Sequence, residues 1–110
     1  MIFDKDGTTT IIFQENISLL NFLENLIKAY PKIKNDNLII NLFSFSKLSA
    51  GDVLEFLQIS NEHRASMKSF VLVTNKVSFE EVPEEICVVP TIQEAKDIIE
   101  MEEIERDLDL

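Results

Sequence analysis

The sequence predicts an α/β domain: a mixed β-sheet with helices packed against it. Three observations lead there. Short apolar runs alternate with longer stretches whose apolar residues recur at helical spacing, the order that builds parallel strand pairs. Near the start, Asp6-Gly7 is a two-residue turn signal, which adds an antiparallel pair. Residues 38–43 are apolar except for Asn41, as suits a strand covered on both faces. At 110 residues, with 45% hydrophobic and 27% charged residues, the chain makes one domain, residues 1–110. That is enough to bury a core without disulfides or a structural metal.

Each element has its own signal. Residues 1–13 read as a hairpin, with the β-branched run Thr8, Thr9, Thr10, Ile11 and Ile12 as its second strand. Leu19, Leu20, Leu23, Leu26, Ile27 and Tyr30 predict a helix over residues 17–30, capped by Asn16 or Ser18 and stopped by Pro31. After the strand at 38–43, Ser49 and Asp52 resemble a capping box that opens a second helix running to about Ser66. Its core face is expected to be Val53, Phe56, Leu57 and Ser60. Residues 70–74 form the next apolar strand. Pro83 limits the following segment to a short turn at 78–82, and 86–89 is a fourth buried strand with Cys87 filling core. Thr91 and Glu94 then cap a last helix over residues 92–108.

Composition narrows the function classes. One cysteine allows no intramolecular disulfide, which fits a reducing compartment. Neither a secretory signal nor an apolar stretch of the length a membrane helix needs is visible, so the expected location is the cytoplasm, away from membrane. The net charge of −10 is uneven: residues 1–78 hold eight acids and eight bases, whereas 79–110 hold twelve acids and two bases. Such a surface repels nucleic-acid phosphates and anionic lipid, and either favours a basic partner or maintains solubility.

Familiar catalytic constellations are missing. The one histidine, His63, reads as a partly charged imidazole at a solvated helix C-terminus. With one distant cysteine it makes no zinc cluster. No serine sits in a G-x-S-x-G elbow, and two glycines, Gly7 and Gly51, cannot supply a P-loop or a dinucleotide fingerprint. The doublets Glu80-Glu81, Glu84-Glu85 and Glu102-Glu103 point in divergent directions and read as solvated surface. Only Phe45, beside Lys47, approaches the aromatic–basic pattern of a base-stacking platform. The expectation is a chain that binds protein and is not an enzyme, with no cofactor and no metal.

The element order, an apolar strand leading to a helix start at Leu48-Ser49-Ala50-Gly51, and the ending Thr91-Ile92-Gln93-Glu94-Ala95 together resemble the STAS domain. That is the fold of anti-sigma factor antagonists and of transporter tails. The resemblance covers nearly the whole chain. It implies a STAS-like sheet, a regulatory protein–protein role and a kinase-like anti-sigma partner. In the family the loop reads Asp-Ser-Ser/Thr-Gly and its second hydroxyl is phosphorylated. Here Leu48 replaces the aspartate and Ala50 has no hydroxyl, so Ser49 is the one remaining phosphorylation candidate. The segment Glu103 to Leu108 is also similar to the ending of small STAS-like chains labelled ribonuclease Z. One histidine cannot build that nuclease's two-metal site, so this likeness implies an accessory role beside it.

The last helix carries a further signal. At about 100° per residue, Ile92, Ala95 and Ile99 share one face, while Met101, Ile104 and Leu108 fall nearly opposite. The stripe changes sides near Glu100, which points to a bend, a frayed end, or a contact with a second copy or a partner. Expected partner-binding residues are therefore Phe45, Ser46, Lys47 and Ser49 in the loop, and Met101, Ile104 and Leu108 on the helix. A homodimer through this helix is one form such a contact would take.

Overall fold

A computed structural model describes residues 1–108. Its elements are β1 (Ile2–Asp6), β2 (Thr9–Phe13), α1 (Leu19–Ile33), β3 (Asn37–Asn41), α2 (Ala50–Leu54), α3 (Leu57–Ala65), β4 (Phe70–Val73), a 3₁₀ turn (Phe79–Glu81), β5 (Cys87–Val89) and α4 (Ile92–Leu108). The five strands form one mixed sheet in the order β1-β2-β3-β4-β5. β1 and β2 are antiparallel, and every later pair is parallel. The α/β class read from the sequence is the class observed.

Strand alternation sends side chains to two faces. On one, Ile12, Leu38, Ile40, Phe70, Leu72 and Val88 pack with Phe22 and Leu26 of α1, Val53 of α2 and Ile59 of α3. On the other, Ile39, Val71 and Val73 meet Ala95 and Ile99 of α4. α4 thus covers its face alone, and its fully buried residues are those two.

Local details depart from the sequence expectations. The hairpin loop is Gly7-Thr8, because Asp6 pairs with Thr9. Gly7 has φ +63° and no such value occurs at Thr8, so the turn needs one left-handed residue at its first central position, where glycine is favoured. Ser18 caps α1, its Oγ accepting from Asn21 N at 3.2 Å. The helix then runs through Pro31 to Ile33. Proline removes one backbone donor in the last turn, a cost of up to about 3 kcal/mol. Burying Ile33 just beyond it contributes a similar ~1.5–3 kcal/mol.

The helix expected over 49–66 is two helices. At Glu55 and Phe56 the backbone tightens, Glu55 N donating to Asp52 O at 3.2 Å and Phe56 N to Val53 O at 3.1 Å. Phe56 at this joint is fully buried, its ring centroid 6.3 Å from that of Phe22.

His63 is the largest correction. It is not solvated at a helix end but 0% exposed. Its Nε2 lies 2.8 Å from Asp36 O and its Nδ1 2.8 Å from Tyr30 Oη. A carbonyl can only accept, so Nε2 carries the proton and Nδ1 accepts from the phenol. The imidazole is neutral. Burial pushes its pKa below the ordinary 6.5, and the positive charges of Lys68 and Arg64 push the same way. The Asp36 carbonyl and carboxylate oppose this shift without reversing it.

A polar belt ties the amino ends of the strands to the end of α4. The Asn37 side-chain oxygen accepts from Ser69 N at 2.9 Å and from Arg106 Nη2 at 3.4 Å, and that same nitrogen donates to Ser69 Oγ at 3.2 Å. Arg64 pairs with Glu102 at 3.0 Å and donates to Phe70 O at 3.1 Å. Thr8 Oγ1 donates to Glu103 Oε2 at 3.3 Å.

Two predictions follow from these contacts. Asn37→Ala leaves the buried Ser69 N–H without its acceptor, so urea denaturation should show a loss of about 1–3 kcal/mol. For His63, the unfolded state takes up a proton at higher pH than the folded state. Stability should be level above pH 6.5 and fall as the pH drops from there toward the lowered folded-state pKa. Denaturation midpoints at about pH 7.5 and pH 5.5 check this, with His63→Gln flattening the difference.

Candidate functional site

The loop expected to bind a partner lies beyond the carboxyl end of β3. Phe45 is not on its surface, which corrects the expectation of a binding residue there. Phe45 N donates to Leu42 O at 3.1 Å, closing a turn that tucks the ring inward. The ring then meets Phe22 edge-on at 5.6 Å and is buried. Ser46, Lys47 and Ser49 are exposed. Ser49 is the N-cap of α2 in a reciprocal capping box: Asp52 N donates to Ser49 Oγ at 3.2 Å, and Ser49 N donates to Asp52 Oδ2 at 3.0 Å. A phosphoryl group on Ser49 would displace the first bond and stand against the Asp52 carboxylate, where like charges repel.

Met101, Ile104 and Leu108 are on the solvent side of α4, with 60%, 52% and 79% of their surface exposed. The helix does not end at Glu100 but runs on to Leu108. Its second half is held by Glu102, Glu103 and Arg106 through the polar belt, which frees the apolar stripe to face outward. Because α4 starts after the carboxyl end of β5 and reaches Asn37 and Ser69 at the amino ends, this stripe and the 46–49 loop occupy opposite ends of the sheet. They are two surfaces and not one site.

The residues that do converge flank β5, a free edge of the sheet. A cavity of about 700 Å³ lies between the segment from Thr74 to Glu81 and the first turns of α4, with Val88, Val89 and Pro90 on its wall. A second, of about 590 Å³, continues past Cys87 toward Arg64 and Glu102. Phe79, Val88, Val89 and Ile98 line both, so the two form one groove. Phe79 stands at its lip, 68% exposed, on the 3₁₀ turn. Ser78 holds that turn through Glu81, whose Oε1 accepts from Ser78 N at 3.1 Å. On the opposite wall Met101 follows Ile98 by three residues, so the outer stripe of α4 begins where the groove wall ends.

The floor is apolar and the rim is acidic. Glu81, Glu94 and Asp97 border the first cavity, and Glu84 and Glu85 the second. Among the described residues, none of these five forms an ion pair. Lys76 also borders the first cavity, while Arg64 in the second is already engaged by Glu102 and the Phe70 carbonyl. Cys87 is half-buried on this wall and packs against the α4-side core, as its core-filling role requires. Burial pushes its thiol pKa up, which keeps it protonated and a poor nucleophile. Among the described residues no group of three His, Cys, Asp or Glu side chains could hold a metal, and no helix is long and apolar enough to cross a membrane.

The groove was not legible as a site in the sequence. The stretch from Asn75 to Glu85 has no periodicity, and its glutamate doublets look like ordinary solvated surface. The usable signal was Phe79 itself, a large apolar residue set in an acidic, aperiodic segment where no core position is defined.

Neither the protein-family models nor the curated proteins compared with this chain match it.

Ser49→Ala removes one cap contact and leaves the groove untouched. It should cost about 1 kcal/mol in urea denaturation and leave binding through the groove unchanged in a titration of the same variant.

Proposed function

We propose that the chain is a non-catalytic protein–protein interaction module, regulatory in role, that takes a segment of its partner in the β5 groove. The observation that carries this reading is the groove itself. An apolar cleft on a sheet edge, open to solvent and lipped by a mostly exposed phenylalanine, is surface that a protein gains by covering. Ser78 Oγ donates to Glu81 Oε1 at 3.3 Å, but this pair is the capping box of the 3₁₀ turn, and burial raises the Cys87 thiol pKa, so the lining favours binding over chemistry. The stripe Met101, Ile104 and Leu108 extends the same wall and is the natural continuation of the contact.

The STAS-like reading belongs to this proposal. It is supported by the succession of a hairpin and then alternating helices and strands, and by a helix that starts at Ser49. The family's phosphate switch is not part of it, because Ala50 lacks a hydroxyl and Ser49 is committed to Asp52. A homodimer through α4 is the weaker form of the contact. Glu100, Glu105 and Asp107 share the exposed side of that helix and would face their own copies.

Affinity capture of the tagged chain from native cells tests the module. Phe79→Asp should reduce recovery of the bound protein by roughly tenfold or more, as for a hot-spot residue. Phe3→Asp, on the far sheet edge, should leave it unchanged. Equal recovery with both variants would reject the groove as the binding surface.

A further inference from the structure

Resting on that reading, we propose that the occupant of the groove is a basic segment of another protein, inserting bulky apolar side chains between Phe79 and Ile98. The two halves of this chemistry come from different parts of the site. Val88, Val89 and Ile98 give an apolar floor shared by both cavities, with Phe79 at its lip, and only non-polar side chains gain by entering it. The rim carries the five carboxylates at Glu81, Glu84, Glu85, Glu94 and Asp97, without an ion-pair partner among the described residues. Clustered like charges around an apolar recess repel one another, and lysine or arginine flanking an inserted side chain removes that repulsion.

The acidity is not the same at the two edges of the sheet. The recess at the opposite sheet edge, beside β1 and α1, is lined by Met1, Phe3 and Ile33 with Lys28 and Lys32, and holds no acid. Of the two apolar recesses at the two edges, one selects for cations and the other against them. A second copy of the chain could offer that basic recess to the acidic groove. Two copies would each bring a net charge of −10, however, and their long-range repulsion sets a basic foreign segment ahead.

The test uses the whole chain and two labelled, end-capped octapeptides, each with six lysines. One carries Leu-Phe at its centre and the other Gly-Ser. Fluorescence anisotropy near physiological salt should show the Leu-Phe peptide binding at least about tenfold more tightly, with both weakening as salt rises. Phe79→Ser, at an exposed position, should remove the difference between the peptides while leaving the circular dichroism spectrum unchanged. The triple charge reversal Glu84→Lys, Glu94→Lys and Asp97→Lys should weaken both peptides at least about tenfold. Equal affinity for the two peptides would reduce the groove to diffuse charge and overturn the proposal, as would no binding of either. Self-association of the wild-type chain that Phe79→Ser abolishes would overturn it in favour of a second copy. If native partner capture depends on Phe79 while neither peptide binds, the interaction module stands and the basic occupant falls.

Discussion

One buried amide closes the amino end of the sheet. The Asn37 side-chain oxygen holds the Ser69 backbone N–H, which fixes the start of β4 beside the start of β3, and it also receives Arg106 from α4. A polar group this buried must be paired, and the pairing here joins three elements far apart in sequence. α4 needs it. Ala95 and Ile99 are its buried residues, Ile92 and Ile98 add partly buried contacts, and all four lie in its first half. The Arg64–Glu102 pair and the Arg106 contacts dock its second half by polarity instead.

That mode of docking governs what the surface presents. A helix fixed by an apolar stripe must turn that stripe inward. Fixed by polar anchors, α4 can leave Met101, Ile104 and Leu108 in solvent and set Ile98 on the wall of the β5 groove. The change of sides near Glu100, visible in the sequence, therefore marks a change in the kind of contact and not a break in the helix.

The fold was legible where periodicity is strong. The two-faced apolar runs at β3 and β4 declared a covered sheet, and the caps at Ser18, Ser49 and Thr91 marked helix starts that the backbone respects. What stayed illegible turned on tertiary context. Pro31 reads as a stop, yet burial of Ile33 carries the helix past it. Phe45 sits among polar loop residues, yet one tight turn puts it on Phe22. His63 looks like a helix-end cation, and only burial makes it a neutral core residue, with Tyr30 and the Asp36 carbonyl as its hydrogen-bond partners. Local sequence cannot report a partner 27 or 33 residues away. The groove was hidden for the same reason, since its walls come from the 3₁₀ turn, β5 and α4.

The edge strand explains why an open groove sits here. β5 has three residues, bounded by Pro90 and, upstream, Pro83, and such a strand is too short to recruit another sheet edge. A short edge also leaves the space beside it unfilled. The 3₁₀ turn stands over that space without closing it, and Phe79 remains mostly exposed although the core lies within reach of its own segment through Val77 and Val82. Burying Phe79 as well would stabilise the fold by about 1.5–3 kcal/mol. Surrounding acids do not require that loss, because solubility is served equally well by carboxylates placed away from an apolar lip. A phenylalanine held out among carboxylates that, among the described residues, have no ion-pair partner makes physical sense when something both apolar and cationic comes to cover it.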